Sequence, residues 1–325
     1  MRFRSDPTQL RGSIAPVVTP FSKEGELDAD GLRRLIAWQL DEGSHGISLG
    51  GSTGEPSAQS SAERISAMAT AAEVIADRVP FLPGTGSARL EETIRLTAAA
   101  AELGADAALV ITPYYARPTQ EGLYQWYATV AGENPGLPIV VYNVPSRTAV
   151  DVAPETLARL RRRFSNVVGI KETTRDFEHF SRVLHVCGRD TLVWSGIELL
   201  CLPLLALGGV GFVSAVANIA PGAVAAMYEL WMAGRQEAAR ELHYALHPLV
   251  DLIFTETNPA PAKWVLEQAG LLGSGHVRPP LAPVSEAGQA RITELLQAGA
   301  PALGAVMRRL VTVDGAAAGT AAADG

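Results

Sequence analysis

The sequence predicts an α/β fold, a (β/α)8 TIM barrel with a C-terminal helical extension. Three observations predict it. Eight short apolar runs, bounded by Gly, Pro, Ser or Thr, recur along the chain. Between them lie segments whose apolar residues repeat at helical spacing. The residues that follow the runs are hydroxyls, glycines, one lysine and one arginine, as expected of a single mouth at the carboxyl ends of parallel strands. Strands buried on both faces read as continuous apolar runs, and eight strand–helix units with right-handed crossovers are the number that closes into a barrel. A doubly wound open sheet is the structural alternative, and it accounts less well for eight runs.

The runs are 14–18, 46–49, 79–82, 107–111, 139–142, 167–170, 192–194 and 210–213. The first intervening helix is LDADGLRRLIAWQLDEG (27–43), with Asp28 as its cap and Leu32, Leu35, Ile36 and Leu40 on one stripe. Segments 62–78, 90–105, 121–133, 154–164, 177–188 and 197–207 follow with the same character. Three further helical stretches, 236–253, 261–268 and 286–297, make the extension. The expected organisation is therefore a barrel over 10–233, an extension over 234–299 and a partly disordered tail over 300–325, which ends in the low-complexity run GAAAGTAAADG.

With 325 residues, 27 Lys+Arg against 34 Asp+Glu and a net charge of −7, the chain has no clustered positive charge of the kind a nucleic-acid surface or an anionic membrane requires. Small molecules are the expected partners. Two cysteines make no disulfide framework, and MRFRSDPTQL lacks the apolar core of a signal peptide, so a cytoplasmic location is expected. Residues 199–228 carry no charged side chain, long enough to span a bilayer, but Pro203, Gly208, Gly209 and Gly211 divide the stretch into a short helix, a turn and a buried strand.

After the runs come GGSTGE (50–55), GTGS (84–87), TPYY (112–115), YNVPSRT (142–148), KETT (171–174), SG (195–196) and SAVAN (214–218). Lys171 ends the run VVGI. A lysine at the rim of a dry pocket loses solvation of its ammonium form, which frees the amine as a nucleophile; pairing with Glu172 or another carboxylate is the alternative. Tyr142 ends the preceding strand, where its phenol can relay protons to Lys171 or simply bond the backbone. Ser52 and Thr53, between Gly51 and Gly54, suit a carboxylate site as well as a helix cap. Arg147 is a candidate for gripping an anionic substrate, or a surface ion-pair partner. Gly196 and Val213, at the last two strand ends, complete the substrate-binding candidates.

Other signals are weaker. GGSTGE lacks the Gly-Lys-Ser/Thr of a phosphate loop and GTGS lacks the third glycine of a dinucleotide fingerprint. His243 and His247 lie four apart, but no Glu follows the first, so a surface or core pair is expected and no catalytic metal.

Together, GSTGE, GTG, TPYYARPTQEGLY, YNVPSRT, GIKET and NPAPAKW resemble the pyruvate-dependent class I lyases of the dihydrodipicolinate synthase and N-acetylneuraminate lyase superfamily, over roughly residues 10–299. YNVPSRT, TPYY and the NPxPxK pattern are most similar to the dihydrodipicolinate synthase branch. The resemblance implies a carbon–carbon or carbon–oxygen lyase in which Lys171 forms an imine with pyruvate and Tyr142 shuttles protons. It implies that Ser52 links Tyr142 to Tyr115, the latter reaching in from a neighbouring subunit of a homotetramer built as a dimer of dimers. Thr53 would bind the pyruvate carboxylate and Arg147 the carboxylate of the incoming aldehyde, aspartate-semialdehyde in that branch, with no external cofactor. A related aldolase or dehydratase with another keto-acid or aldehyde partner, and a non-catalytic ligand-binding barrel, are the other readings.

Three departures qualify the resemblance. Ser52 stands where the branch usually has threonine. Ser195-Gly196-Ile197-Glu198 stands where it has Ser-Gly-Asp-Asp, so an acid facing the acceptor is replaced by an apolar residue. At the positions implied for feedback binding of lysine, Ser61 and Arg64 replace His and Ala88 replaces Asn, while Glu92 is kept. The expectation is a protein indifferent to lysine.

Overall fold

The computed structural model describes residues 3–311. Seven strands, β1 (Gly12–Pro16), β2 (Gly46–Ser48), β3 (Ala108–Ile111), β4 (Ile139–Asn143), β5 (Val167–Glu172), β6 (Leu192–Ser195) and β7 (Gly211–Val213), form one parallel sheet in the order β2-β1-β7-β6-β5-β4-β3. The helices between and after them are α1 (Ala29–Asp41), α2 (Ser61–Ile75), α3 (Leu90–Glu102), α4 (Gln120–Glu133), α5 (Pro145–Thr148), α6 (Pro154–Arg163), α7 (Phe177–Cys187), α8 (Cys201–Leu207) and α9 (Pro221–Met232). Asp28 caps α1 as expected, accepting from the Gly31 amide at 2.8 Å.

One expected strand is not a ladder. The run 79–82 makes a single parallel bridge, Ile47↔Phe81, and Gly84 just beyond it makes another, with Leu109 on the other side. Leu82 and Gly84 donate to the carbonyls of Ile47 and Leu49 at 2.8 and 2.6 Å, but Pro80 and Pro83 have no N–H and leave gaps in the donor series. Their carbonyls still accept, from Ile47 and Leu109 at 2.9 Å each.

The curled sheet separates two apolar layers. One joins its outer face to the helices; the other lines the inner face with Ile14, Leu109, Val140, Leu192, Trp194 and Val213. The register puts Tyr142 beside Lys171 and Lys171 beside Trp194, and the next row, Asn143, Glu172 and Ser195, points to the opposite face.

In the extension, the segment 236–253 is two helices and not one, α10 (Gln236–Ala245) and α11 (His247–Ile253), broken where Pro248 enters the first turn of the second. His243 and His247 flank the break with their Nε2 atoms 3.5 Å apart and rings edge to face. Helices α12 (Ala260–Gln268) and α13 (Glu286–Ala298) follow. Of the expected tail, Ala302, Leu303 and Met307 are buried in the main apolar cluster, and residues 312–325 lie outside the described residues. Cys187 and Cys201 are free thiols. No helix among the described residues is long and apolar enough to cross a membrane.

Candidate active site

Seven of the eight candidate residues come together. Ser52, Thr53, Tyr142, Arg147, Lys171, Gly196 and Val213 line one cavity of about 730 Å3 at the carboxyl edge of the sheet. Tyr115 does not join them within the chain. It is 96% exposed and held at φ +75°, a left-handed conformation that a tyrosine adopts only under local constraint.

Lys171 is the amine of this cavity. Its Nζ stands 4.0 Å from the centre of the Tyr142 ring, and the side chain is 6% exposed. A β-carbon on Gly196 would come within 2.8 Å of Lys171 Cε, so glycine at 196 keeps the lysine's path clear. The Tyr142 hydroxyl lies 3.1 Å from Ser52 Oγ. Burial opposes ionisation of Tyr142, but the Lys171 charge, the Ser52 hydrogen bond and Arg147 together outweigh it and hold the phenol below its ordinary value. Thr53, buried beside Ser52, accepts a hydrogen bond at 3.0 Å from Asn258 Nδ2 in the NPAPAKW segment. Arg147 is exposed on the short helix α5, at the cavity's outer wall with Arg175.

Other polar groups lie behind Lys171, and sequence reasoning did not single them out, apart from Glu172, which it named only as an alternative partner for Lys171. Behind Lys171, the fully buried Glu172 accepts from Asn143 Nδ2 at 2.9 Å and from the backbone amides of Thr173 and Thr174 at 3.0 and 3.1 Å. His179 Nε2 lies 3.1 Å from the Glu172 carboxylate, and its Nδ1 is 3.9 Å from Asp151. Asp151, Glu172 and His179 are close enough to share a cation. The carboxylates, however, already accept from the Asn143 amide and, at Glu172, from two backbone amides, so the cluster is built around N–H donors. The signal available in the sequence was the alternation of strand β5, which puts Glu172 on the face opposite Lys171.

A second missed pair is Glu55 and Lys263, both fully buried, with Nζ 2.5 Å from Oε1. Burial lowers Lys263 to about 8, with Glu55 opposing that shift. Glu198, also buried, lines the main cavity, accepts from the Ala215 amide at 2.8 Å and is raised by burial. Ile197 presents an apolar wall beside it.

Fold and site define a parallel α/β protein with one buried amine beside a phenol at the carboxyl edge of its sheet. Residues 9–299 match the model of the dihydrodipicolinate synthetase family, and the chain belongs to that family. It is 46% identical to the 4-hydroxy-tetrahydrodipicolinate synthase of Thermus thermophilus over 288 residues, 89% of this chain and 96% of the relative. The enzyme of that name from Thermodesulfovibrio yellowstonii is 42% identical over 89% of this chain and 98% of its own. Among solved structures, the 4-hydroxy-tetrahydrodipicolinate synthase of Methylacidiphilum fumariolicum SolV superposes with a TM-score of 0.87 at 35% identity, covering 92% of this chain and 99% of the other.

Proposed function

We propose that the protein is a lyase of the 4-hydroxy-tetrahydrodipicolinate synthase type, condensing pyruvate with aspartate-semialdehyde through an imine on Lys171. The observation that carries this reading is the Tyr142–Lys171 register pair, with Ser52 behind the phenol, in a cavity of about 730 Å3. The Lys171 amine attacks the ketone carbon of pyruvate, and loss of water gives the imine. Removal of a proton from the methyl group then gives an enamine, which bonds to the aldehyde carbon. Tyr142 takes and returns protons at each of these steps. The amine of the acceptor displaces Lys171 from the imine carbon, closing the ring and freeing the enzyme.

Thr53 holds the pyruvate carboxylate and Arg147 that of the acceptor, with Gly196 and Val213 shaping the floor. Tyr115 completes a neighbour's relay in a homotetramer, a dimer of dimers, which accounts for a large aromatic left in solvent at positive φ. The segment 79–85 serves as the eighth stave of a closed barrel over 10–233, with 234–299 as its extension. The chemistry calls for no external cofactor, metal, nucleic acid or membrane, and the expected setting is the cytoplasm. One observation favours a second reading: apolar Ile197, where an acid was expected, supports a related aldolase or dehydratase acting on a different acceptor.

The test is reduction with borohydride in the presence of pyruvate, followed by peptide mapping. A pyruvate adduct on Lys171 is expected; an adduct elsewhere, or none, overturns the mechanism. Assay of the same preparation with aspartate-semialdehyde and other aldehydes separates the two acceptor readings.

A further inference from the structure

The main cavity, at about 730 Å3, is the size of a site for a drug-sized ligand, more than pyruvate and a small aldehyde require. Its lining is uneven. Ile197, Leu199 and Leu200, in the segment after β6, and Val250 and Phe254, at the end of α11, all contribute to it. Leu199 and Phe254 are 43% and 52% exposed, and large apolar side chains left open at one cavity mark a surface that meets a ligand. The charged groups in the lining are Lys171, Arg147, Arg175 and a single carboxylate, Glu198. That carboxylate is 8% exposed, accepts from the Ala215 amide at 2.8 Å, and is pushed toward its neutral form by burial. An acceptor carrying an ammonium therefore meets two guanidinium groups and no free acid among the described residues of the lining.

An aldehyde whose only charge is a carboxylate fits this lining better. We infer that the site takes a second class of acceptor, an aldehyde acid without an ammonium group, whose carboxylate meets Arg147 and Arg175 while its apolar body lies on Ile197, Leu199 and Phe254. The inference rests on the imine chemistry proposed for Lys171 and goes beyond the acceptor named there. The enamine carbon bonds to the aldehyde carbon, and the aldehyde oxygen receives the proton that Tyr142 took from the methyl group, becoming a hydroxyl. No amine is present to close a ring. Water adds to the remaining imine carbon instead, the carbon–nitrogen bond breaks, and Lys171 leaves as the free amine. The water lost in forming the imine is thus returned, and the product is an open-chain 4-hydroxy-2-oxo acid. Ile197 is then the specificity-determining residue, since an apolar contact favours the ammonium-free acceptor and an acid at that position would favour the ammonium.

The test assays the full-length protein and pyruvate with three acceptors in parallel, identifying products by mass. They are aspartate-semialdehyde, succinate semialdehyde, which is the same chain without the ammonium, and 3-formylbenzoate, which places a ring between aldehyde and carboxylate. Open-chain 4-hydroxy-2-oxo acids from both ammonium-free aldehydes are expected. Ile197→Asp should lower kcat/KM for both of them relative to aspartate-semialdehyde by about 10- to 100-fold, the range for one changed contact in a binding pocket. Phe254→Ala, at an exposed position that the fold does not depend on, should lower kcat/KM for 3-formylbenzoate about 10-fold and keeps the test available if Ile197→Asp misfolds. A pyruvate–borohydride adduct on Lys171 in the same preparations reports the imine separately. An adduct without open-chain product from either ammonium-free aldehyde, or acceptor ratios unchanged in the folded variants, overturns the inference and leaves the imine reading standing; absence of the adduct overturns both.

Discussion

Tyr142 and Lys171 are register partners on adjacent strands, with the lysine nitrogen 4.0 Å from the centre of the phenol ring. Their successors, Asn143 and Glu172, are also partners and are joined by a 2.9 Å hydrogen bond on the opposite face. The Tyr142–Lys171 pair is thus backed by a polar pair one residue further along each strand. A slip of one residue would exchange the two faces and expel both Tyr142 and Lys171 from the cavity.

Tyr142→Phe keeps the ring and removes only the hydroxyl. Turnover should fall by a factor on the order of 10²–10⁴, the usual contribution of a general acid–base group, with the melting temperature little changed. Ser52→Ala should give a milder loss, since the phenol remains. Steady-state kinetics with pyruvate saturating decide it, and near-native rates in Tyr142→Phe remove the phenol from the mechanism.

The His179–Glu172 contact predicts a pH dependence of stability. Burial disfavours the charge on His179, but Glu172 first and then Asp151 and Asp176 outweigh burial and raise its pKa above 6.5. A folded-state pKa above the unfolded one contributes stability that is complete below about pH 6.5 and is lost as pH rises through the folded value. His179→Gln should therefore be less stable than the native protein at pH 6, with the gap narrowing toward pH 9. Urea midpoints at both pH values test this; a gap that stays constant would assign His179 a packing role alone.

Much of the site was legible because its chemistry sits where apolar runs end. Lys171, Tyr142 and the Ser52–Thr53 pair were found from strand ends alone, and a parallel sheet brings strand ends together. What escaped were side-chain contacts made across sequence distance. His179 lies on a helix and reads as an ordinary helical residue until β5 is seen to aim Glu172 at it. Glu55 and Lys263 are 208 positions apart, and neither sits in an apolar run. The third run pairs through isolated bridges and not a continuous ladder because apolar content marks burial, while the two prolines within and after the run remove donors from its pairing.

The Glu55–Lys263 pair should be structural. Removing one partner of a buried ion pair leaves an uncompensated charge, so Lys263→Met is expected to cost about 3–5 kcal/mol. The double variant Glu55→Gln/Lys263→Met should recover part of that loss. Lys263 does not line the main cavity, so borohydride with pyruvate should label Lys171 and leave Lys263 unmodified in the native protein. Denaturant titration of the single and double variants checks the first claim, and a pyruvate adduct on Lys263 would contradict the second.

Tyr115 should matter between subunits. Tyr115→Ala removes an exposed ring and leaves no hole in its own chain, so the isolated fold should be unaffected. Activity should nevertheless fall if the ring serves a neighbour's relay, and light scattering should show an oligomer for the native protein. A fully active native monomer would contradict the shared-site reading.

Lysine should have no effect. The helix after GSTGE carries the positions that the family resemblance implies for lysine binding, and there Arg64 places a buried positive charge that would repel a lysine ammonium, the more so in a low-dielectric setting. Glu92, which could attract that ammonium, already accepts from Ser61 and Ser87, and Ala88 offers no side-chain hydrogen bond. Binding would therefore require desolvating a second cation and displacing two hydroxyl donors, with little gained in return. Millimolar lysine is expected to leave both the melting temperature and the rate unchanged at constant ionic strength. Replacing Arg64 with His should reduce the repulsion above the imidazole pKa and reveal any weak binding through Glu92. Saturable inhibition of the native protein by lysine would show that the Arg64 charge does not control what enters this region.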